Sequence, residues 1–112
     1  MENEVLLAQI AKEIYPFTPK VIVQDNNIYL LNAKLFCKVE FLEDDYIIRN
    51  EEFDLTVWGD SRDEAEEAFA FAFDALYKNF VFEKDENLTE QARVLKNKLN
   101  HLVYKIARAN EN

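Results

Sequence analysis

At Ser61 the apolar pattern of this chain of 112 residues changes its period. Upstream, apolar residues alternate with polar ones; downstream, they recur every three or four positions. A period of two belongs to a half-buried strand, and a period near 3.6 to a helix. The chain must therefore join a sheet to helices. The change is marked by Gly59, the only glycine, and by Ser61-Arg62-Asp63-Glu64. That tetrapeptide has the form of a capping box, with Ser61 at the N-cap and Glu64 reaching back. Asp63 and Glu64 also suit the positive end of a helix dipole. Ala65, Ala68, Phe69, Ala72, Phe73, Leu76 and Tyr77 then follow at helical spacing and predict a helix over 61–79. The small Ala65, Ala68 and Ala72 would let it lie close to a sheet, and Phe71 falls off the stripe.

The alternation upstream is long. Val21, Val23, Tyr29, Leu31, Ala33, Leu35, Cys37, Val39 and Phe41 occupy odd positions. Asp25-Asn26-Asn27 interrupts them with residues that tolerate turn geometry. The pattern predicts strands near 20–24 and 28–42, the second bent near Asn32 because a strand of about 15 residues is long. Leu30, Phe36 and Leu42 break the polarity of the even face, so part of that face is expected to be covered. Tyr46–Arg49 reads as the next strand, and Phe53, Leu55 and Val57 alternate with Asp54, Thr56 and Trp58 in another. Glu43-Asp44-Asp45 and Asn50-Glu51-Glu52 are short turns, which make an antiparallel meander.

Two further elements flank this centre. Leu6, Leu7, Ile10, Ala11 and Ile14 have helical spacing and predict a short N-terminal helix over 4–15, capped by Asn3 and ended by Pro16. A strand competes there, because Val and Ile dominate the apolar set. Leu88, Ala92, Leu95, Leu99, Leu102 and Ile106 form a heptad seam and predict a C-terminal helix over 88–107. The seam suits a homodimer through the Leu88–Ile106 helix or packing within the chain. The fold class expected is α+β, in a single domain over 1–112. An antiparallel sheet of about four strands packs against the long helix, with the C-terminal helix and the short N-terminal helix added.

Composition bounds the function. A hydrophobic content of 49%, with nine Phe and five Tyr, excludes disorder. Cys37 is the only cysteine, so no disulfide can form within the chain, and a reducing, cytoplasmic setting is expected. The first residues lack the basic and apolar regions of a signal peptide. No apolar run reaches the roughly 18–20 residues needed to span a membrane.

The net charge of −9 is concentrated in residues 40–67, where twelve acids face only Arg49 and Arg62. The sequence on either side is close to neutral. Such a block repels a nucleic-acid backbone and suits a cationic protein surface. Glu43, Asp44, Asp45, Glu51, Glu52, Asp54 and Asp60 are therefore the candidate partner-binding residues, and the partner expected is a basic protein.

Other chemistry finds less support. Asp44, Asp45, Asp54, Asp60 and Glu64 are hard oxygen ligands of the kind Mg²⁺ or Ca²⁺ takes. A metal-dependent, nuclease-like enzyme built on these carboxylates is the alternative reading; a homo-oligomeric structural protein is another. No subset has the D-x-D-x-D-G spacing of a calcium loop, and a solvated face explains the same residues. No catalytic residue, metal or cofactor is therefore assigned. Cys37 and His101 are the only thiol–imidazole candidates, and Cys37 lies on the apolar parity of a strand, where it acts as a small hydrophobe. Ser61, the only serine, is already used as a cap. One glycine cannot make a phosphate-binding loop.

Residues 39–77 carry a further signal. Val39–Leu42, the acidic turn Glu43–Asp45, Tyr46–Arg49, Phe53–Val57, Gly59 and Ser61-Arg62-Asp63-Glu64-Ala65 follow one another in an order that resembles the core of HicB-like antitoxins. The resemblance covers about a third of the chain. It implies a small antiparallel sheet backed by a helix, and a non-enzymatic protein-interaction module of the antitoxin or immunity kind. The loop between the second and third of these strands is shorter than in that family and lacks its Pro-x-x-x-Gly-Cys pattern. No helix-turn-helix or ribbon-helix-helix unit follows, so the resemblance does not extend to DNA binding.

Overall fold

In the computed structural model, which describes residues 14–109, the chain is α+β. The short helix expected over 4–15 lies outside the described residues, apart from its last two positions. The elements are β1 (Val21–Gln24), β2 (Asn27–Leu31), β3 (Lys38–Leu42), β4 (Asp45–Asn50), β5 (Leu55–Gly59), α1 (Arg62–Val81), a 3₁₀ turn (Asp85–Asn87), α2 (Glu90–Leu102) and β6 (Val103–Arg108). The strands form two antiparallel sheets, ordered β1-β2-β6 and β3-β4-β5. The chain divides into two compact units. One takes residues up to Thr18 with Phe36–Phe69; the other takes Pro19–Leu35 with Ala70 onward. No helix among the described residues is long and apolar enough to cross a membrane.

In the first unit, direct cross-strand partners share a face. Val39, Ile48 and Val57 form one such row, and all three are buried. Ala65 and Phe69 from the first turns of α1 are buried too, and Phe17 meets Phe69 edge to face at 5.6 Å. Phe17 also exchanges backbone hydrogen bonds with Cys37, at 3.1 and 2.9 Å, ahead of β3. The cap forms with one change from the expected box. The Glu64 N–H donates to Ser61 Oγ at 3.1 Å, while Glu64 Oε2 accepts from the Asp60 N–H, one residue before the cap. Gly59 is dictated by proximity: a Cβ there would stand 2.3 Å from the Ala65 nitrogen and 2.9 Å from its Cα.

In the second unit, Ile22, Tyr29 and Ile106 form a row of the β1-β2-β6 sheet. Tyr29 is 1% exposed and touches Phe73 and Tyr77 of α1, with ring centroids at 5.5 and 5.1 Å. Leu31, Leu35, Leu99 and Val103 complete the buried set.

Two expectations are corrected. The strand foreseen over 28–42 is two strands in different sheets, because the chain leaves β2 at Leu31 and enters β3 at Lys38. The alternation persists across the gap because Leu35 and Cys37 are also buried. The helix foreseen over 88–107 ends at Leu102, and Val103–Arg108 is a strand paired with β2. Asn32 is the reason. Its backbone N–H donates to the Leu102 carbonyl and its Nδ2 to the His101 carbonyl, both at 2.7 Å. Two carbonyls left open by the end of α2 are thereby satisfied. The seam proposed for a dimer thus shrinks to Ala92, Leu95, Leu99 and Leu102, of which Leu99 is fully buried, since Leu88 precedes the helix and Ile106 lies in β6.

Candidate functional site

The seven candidate acids lie in the first unit, and the β3-β4-β5 meander parts them. Glu43 and Asp44 are the two loop residues between Leu42 and Asp45, which pair across the hairpin. Asp60 follows Gly59, which pairs with Tyr46 at the same end of the sheet. Glu51, Glu52 and Asp54 fill the loop between Asn50 and Leu55, at the opposite end. A strand rises about 3.4 Å per residue, so the length of β4 holds the two groups roughly 17 Å apart.

The candidate residues at the first end, Glu43, Asp44, Asp45 and Asp60, are all acidic. Glu43 and Asp44 take φ values of 52° and 68°, the left-handed pair that a two-residue hairpin turn of type I′ demands. Asn-Gly is the usual occupant, since a side chain in this region costs on the order of 1 kcal/mol. Both acids are exposed. Beside them, Phe41 is 45% and Leu42 49% exposed, and Phe41 meets Tyr46 with ring centroids at 4.8 Å.

The second end is mixed and structurally committed. Asn50, 2% exposed, accepts the Phe53 N–H at Oδ1 at 2.9 Å and donates from Nδ2 to the Phe36 carbonyl at 3.2 Å. Phe53, read from the sequence as the start of a strand, is instead buried in this loop. Asp54, at φ 52°, closes the loop through its N–H to the Glu51 carbonyl at 3.3 Å. Lys38 and Arg49 border the same hollow of about 290 Å³ as Glu51 and Glu52. Both cations pair with Glu40, at 3.3 and 3.7 Å.

The other candidates have local partners. Cys37 is 2% exposed; burial pushes its thiol up to about 11, against a lesser opposing hydrogen bond from Asn50. It stays a neutral, packed thiol near neutral pH. His101 is exposed, and its Nδ1 lies 2.7 Å from the Asn97 carbonyl one turn back. Among the described residues, no group of three or more His, Cys, Asp or Glu side chains is placed to hold a metal ion.

One cluster was not foreseen. Asp74, on α1 in the second unit, is 7% exposed. Its Oδ1 accepts from the Tyr29 hydroxyl at 2.5 Å and from Asn27 Nδ2 at 3.4 Å; its Oδ2 pairs with Lys78 Nζ at 3.0 Å. Burial opposes the charge of Asp74, but the hydrogen bonds from Tyr29 and Lys78 and the Lys78 charge outweigh it and hold the carboxyl below its ordinary range. Burial first, and the Asp74 hydrogen bond second, push the Tyr29 hydroxyl well above its ordinary value, so it remains a donor. The sequence offered one signal, an acid four residues before Lys78 on the same helix.

The chain matches no protein-family model, no curated protein and no solved structure.

Proposed function

We propose that the protein is a non-enzymatic interaction module, of the antitoxin or immunity kind, that binds a basic partner protein through the acidic end of its β3-β4-β5 sheet. The observation that carries this reading is the Glu43-Asp44 turn. Two carboxylates occupy left-handed positions where Asn-Gly would hold the same turn with less strain. Aspartate tolerates this region, as at Asp25 and Asp54, but glutamate rarely adopts it, so the strain kept by Glu43 at an exposed turn points to a use for its side chain. Asp45 and Asp60 add to the same end, and Phe41 and Leu42 offer an apolar anchor beside it. The acids would steer a cationic surface into place, and the apolar pair would hold it. Of the seven acids expected from the sequence, Glu43, Asp44, Asp45 and Asp60 carry the reading. Glu51 and Glu52 stand beside Lys38 and Arg49, where the field is partly cancelled, and Asp54 closes the same loop.

The test is a titration with a synthetic peptide that alternates lysine with leucine. Asp44→Lys with Asp45→Lys is expected to weaken binding roughly tenfold and to flatten its salt dependence, because exposed charges act within about a Debye length. Glu52→Lys is expected to change it little. Equal losses from both variants, or none from either, would count against the assignment.

A further inference from the structure

The Asp74 cluster opens onto a cleft of about 460 Å³ in the second unit, within the range of about 300–1,000 Å³ usual for small-molecule sites. Asp25, Asn27, Tyr29, Lys78, Phe82 and Arg108 line it, over Ile106. The register explains why they meet. Asn27 and Arg108 are cross-strand partners on the same face as Tyr29 and Ile106, at the turn end of the β1-β2-β6 sheet. Lys78 is held beside Tyr29 by the Asp74 carboxylate that both contact.

The polar lining is rich in donors. Arg108 brings five N–H groups and makes no hydrogen bond or ion pair with any described residue. Lys78 spends one contact on Asp74 and is half exposed, so the remaining ammonium protons are free to point elsewhere. Against them the cleft offers the single carboxylate of Asp25, since Asp74 lies behind and is already held by Tyr29 and Lys78. An occupant must therefore be rich in acceptors. A guanidinium beside an ammonium matches a phosphate, which accepts two parallel bonds from Arg and a point contact from Lys. The apolar part of the lining has a different demand. Phe82 is 67% exposed and meets Tyr77 edge-on at 5.8 Å, which leaves ring surface open to a flat group.

We propose that this cleft binds a small phosphate ester that carries an aromatic ring, of nucleoside-monophosphate size. Arg108 and Lys78 hold the phosphate, and Phe82 stacks on the ring. The site is independent of the acidic turn, so the fate of one reading does not touch the other.

The experiment is a thermal-shift and calorimetric titration of the full chain with AMP, adenosine and inorganic phosphate, each at millimolar concentration. Because a ligand that binds only the folded state raises the melting temperature, AMP is expected to raise it and adenosine to leave it unchanged. Arg108→Gln, at an exposed position, is expected to weaken AMP binding roughly tenfold or more, as befits a lost hydrogen bond to a charged group. Phe82→Ser is expected to weaken AMP but not inorganic phosphate. The melting temperature of each variant without ligand reports whether folding is preserved. No response to AMP in the wild type, or a response that survives Arg108→Gln, overturns the proposal. An equal response to AMP and inorganic phosphate overturns the role given to Phe82 and with it the ligand class.

Discussion

Single residues decide more of this structure than the apolar patterns suggest. Gly59 is required because β5 runs into the backbone of α1 at Ala65, not because its φ is unusual. Gly59→Ala would force that backbone apart. We expect a loss of about 3 kcal/mol, the upper range for overpacking a tight contact, measurable as a lower midpoint in urea denaturation. Tyr29 makes a second such case. Its hydroxyl is a main reason that Asp74 keeps its charge while buried. A carboxyl whose folded pKa is depressed contributes stability that is present above its unfolded pKa and is lost as pH falls through the folded one. Tyr29→Phe would let the Asp74 pKa rise. The variant should then lose about 1–3 kcal/mol at neutral pH, as expected for a buried hydrogen bond to a charged group. The loss should shrink once the pH is low enough to protonate Asp74 in the folded state. Denaturation midpoints compared at neutral and acidic pH read both parts. A loss that is the same at both would show that the Tyr29 hydroxyl does not act through the charge of Asp74.

Among the elements, the β3-β4 hairpin is where stability and use conflict. Its loop holds two acids at positive φ in a turn made for Asn-Gly. Glu43→Asn with Asp44→Gly is expected to raise stability by about 1–2 kcal/mol, since it removes left-handed strain at two positions. The same double change is expected to weaken the lysine–leucine peptide. A variant that is no more stable would mean that the turn is unstrained as it stands. The other instructive element is the segment after Leu99. The heptad spacing of Leu99, Leu102 and Ile106 reads as helix, yet Ile106 reaches the sheet as part of a strand. Both periods place an apolar residue at these positions, so spacing alone does not separate them. Asn32, 69 residues from His101, ends α2 by bonding its last carbonyls, and no local pattern carries that information.

At the scale of the molecule, the charge block foreseen in the sequence becomes a property of one unit. Among the described residues, the first unit holds twelve acids against three bases, and the second six acids against nine bases. The α+β class, the antiparallel meander and α1 with its cap were legible because burial there is local and periodic. Ser61 and Glu64 announced a helix start that tertiary contacts had no cause to override. The division of the strands into two sheets was not legible, because the buried Leu31, Leu35, Cys37 and Val39 keep the same odd parity across the break. For the candidate site, the acids themselves were plain, but their separation was not. Glu43 and Glu52 look adjacent in a list of charges, and only the register of β4 sets them at opposite ends. The Asp74 cluster stayed hidden for the same reason, since Tyr29 lies 45 residues away in sequence.

Whether the two acidic ends differ in use is decided by a residue-resolved titration. Amide shifts of the ¹⁵N-labelled chain would be followed as the lysine–leucine peptide is added. Binding at the Glu43-Asp44 end predicts shifts concentrated at Phe41–Asp45 and Asp60, with Glu51–Asp54 left near their starting positions. Equal shifts at both ends, or shifts centred on Glu51–Asp54, would contradict it.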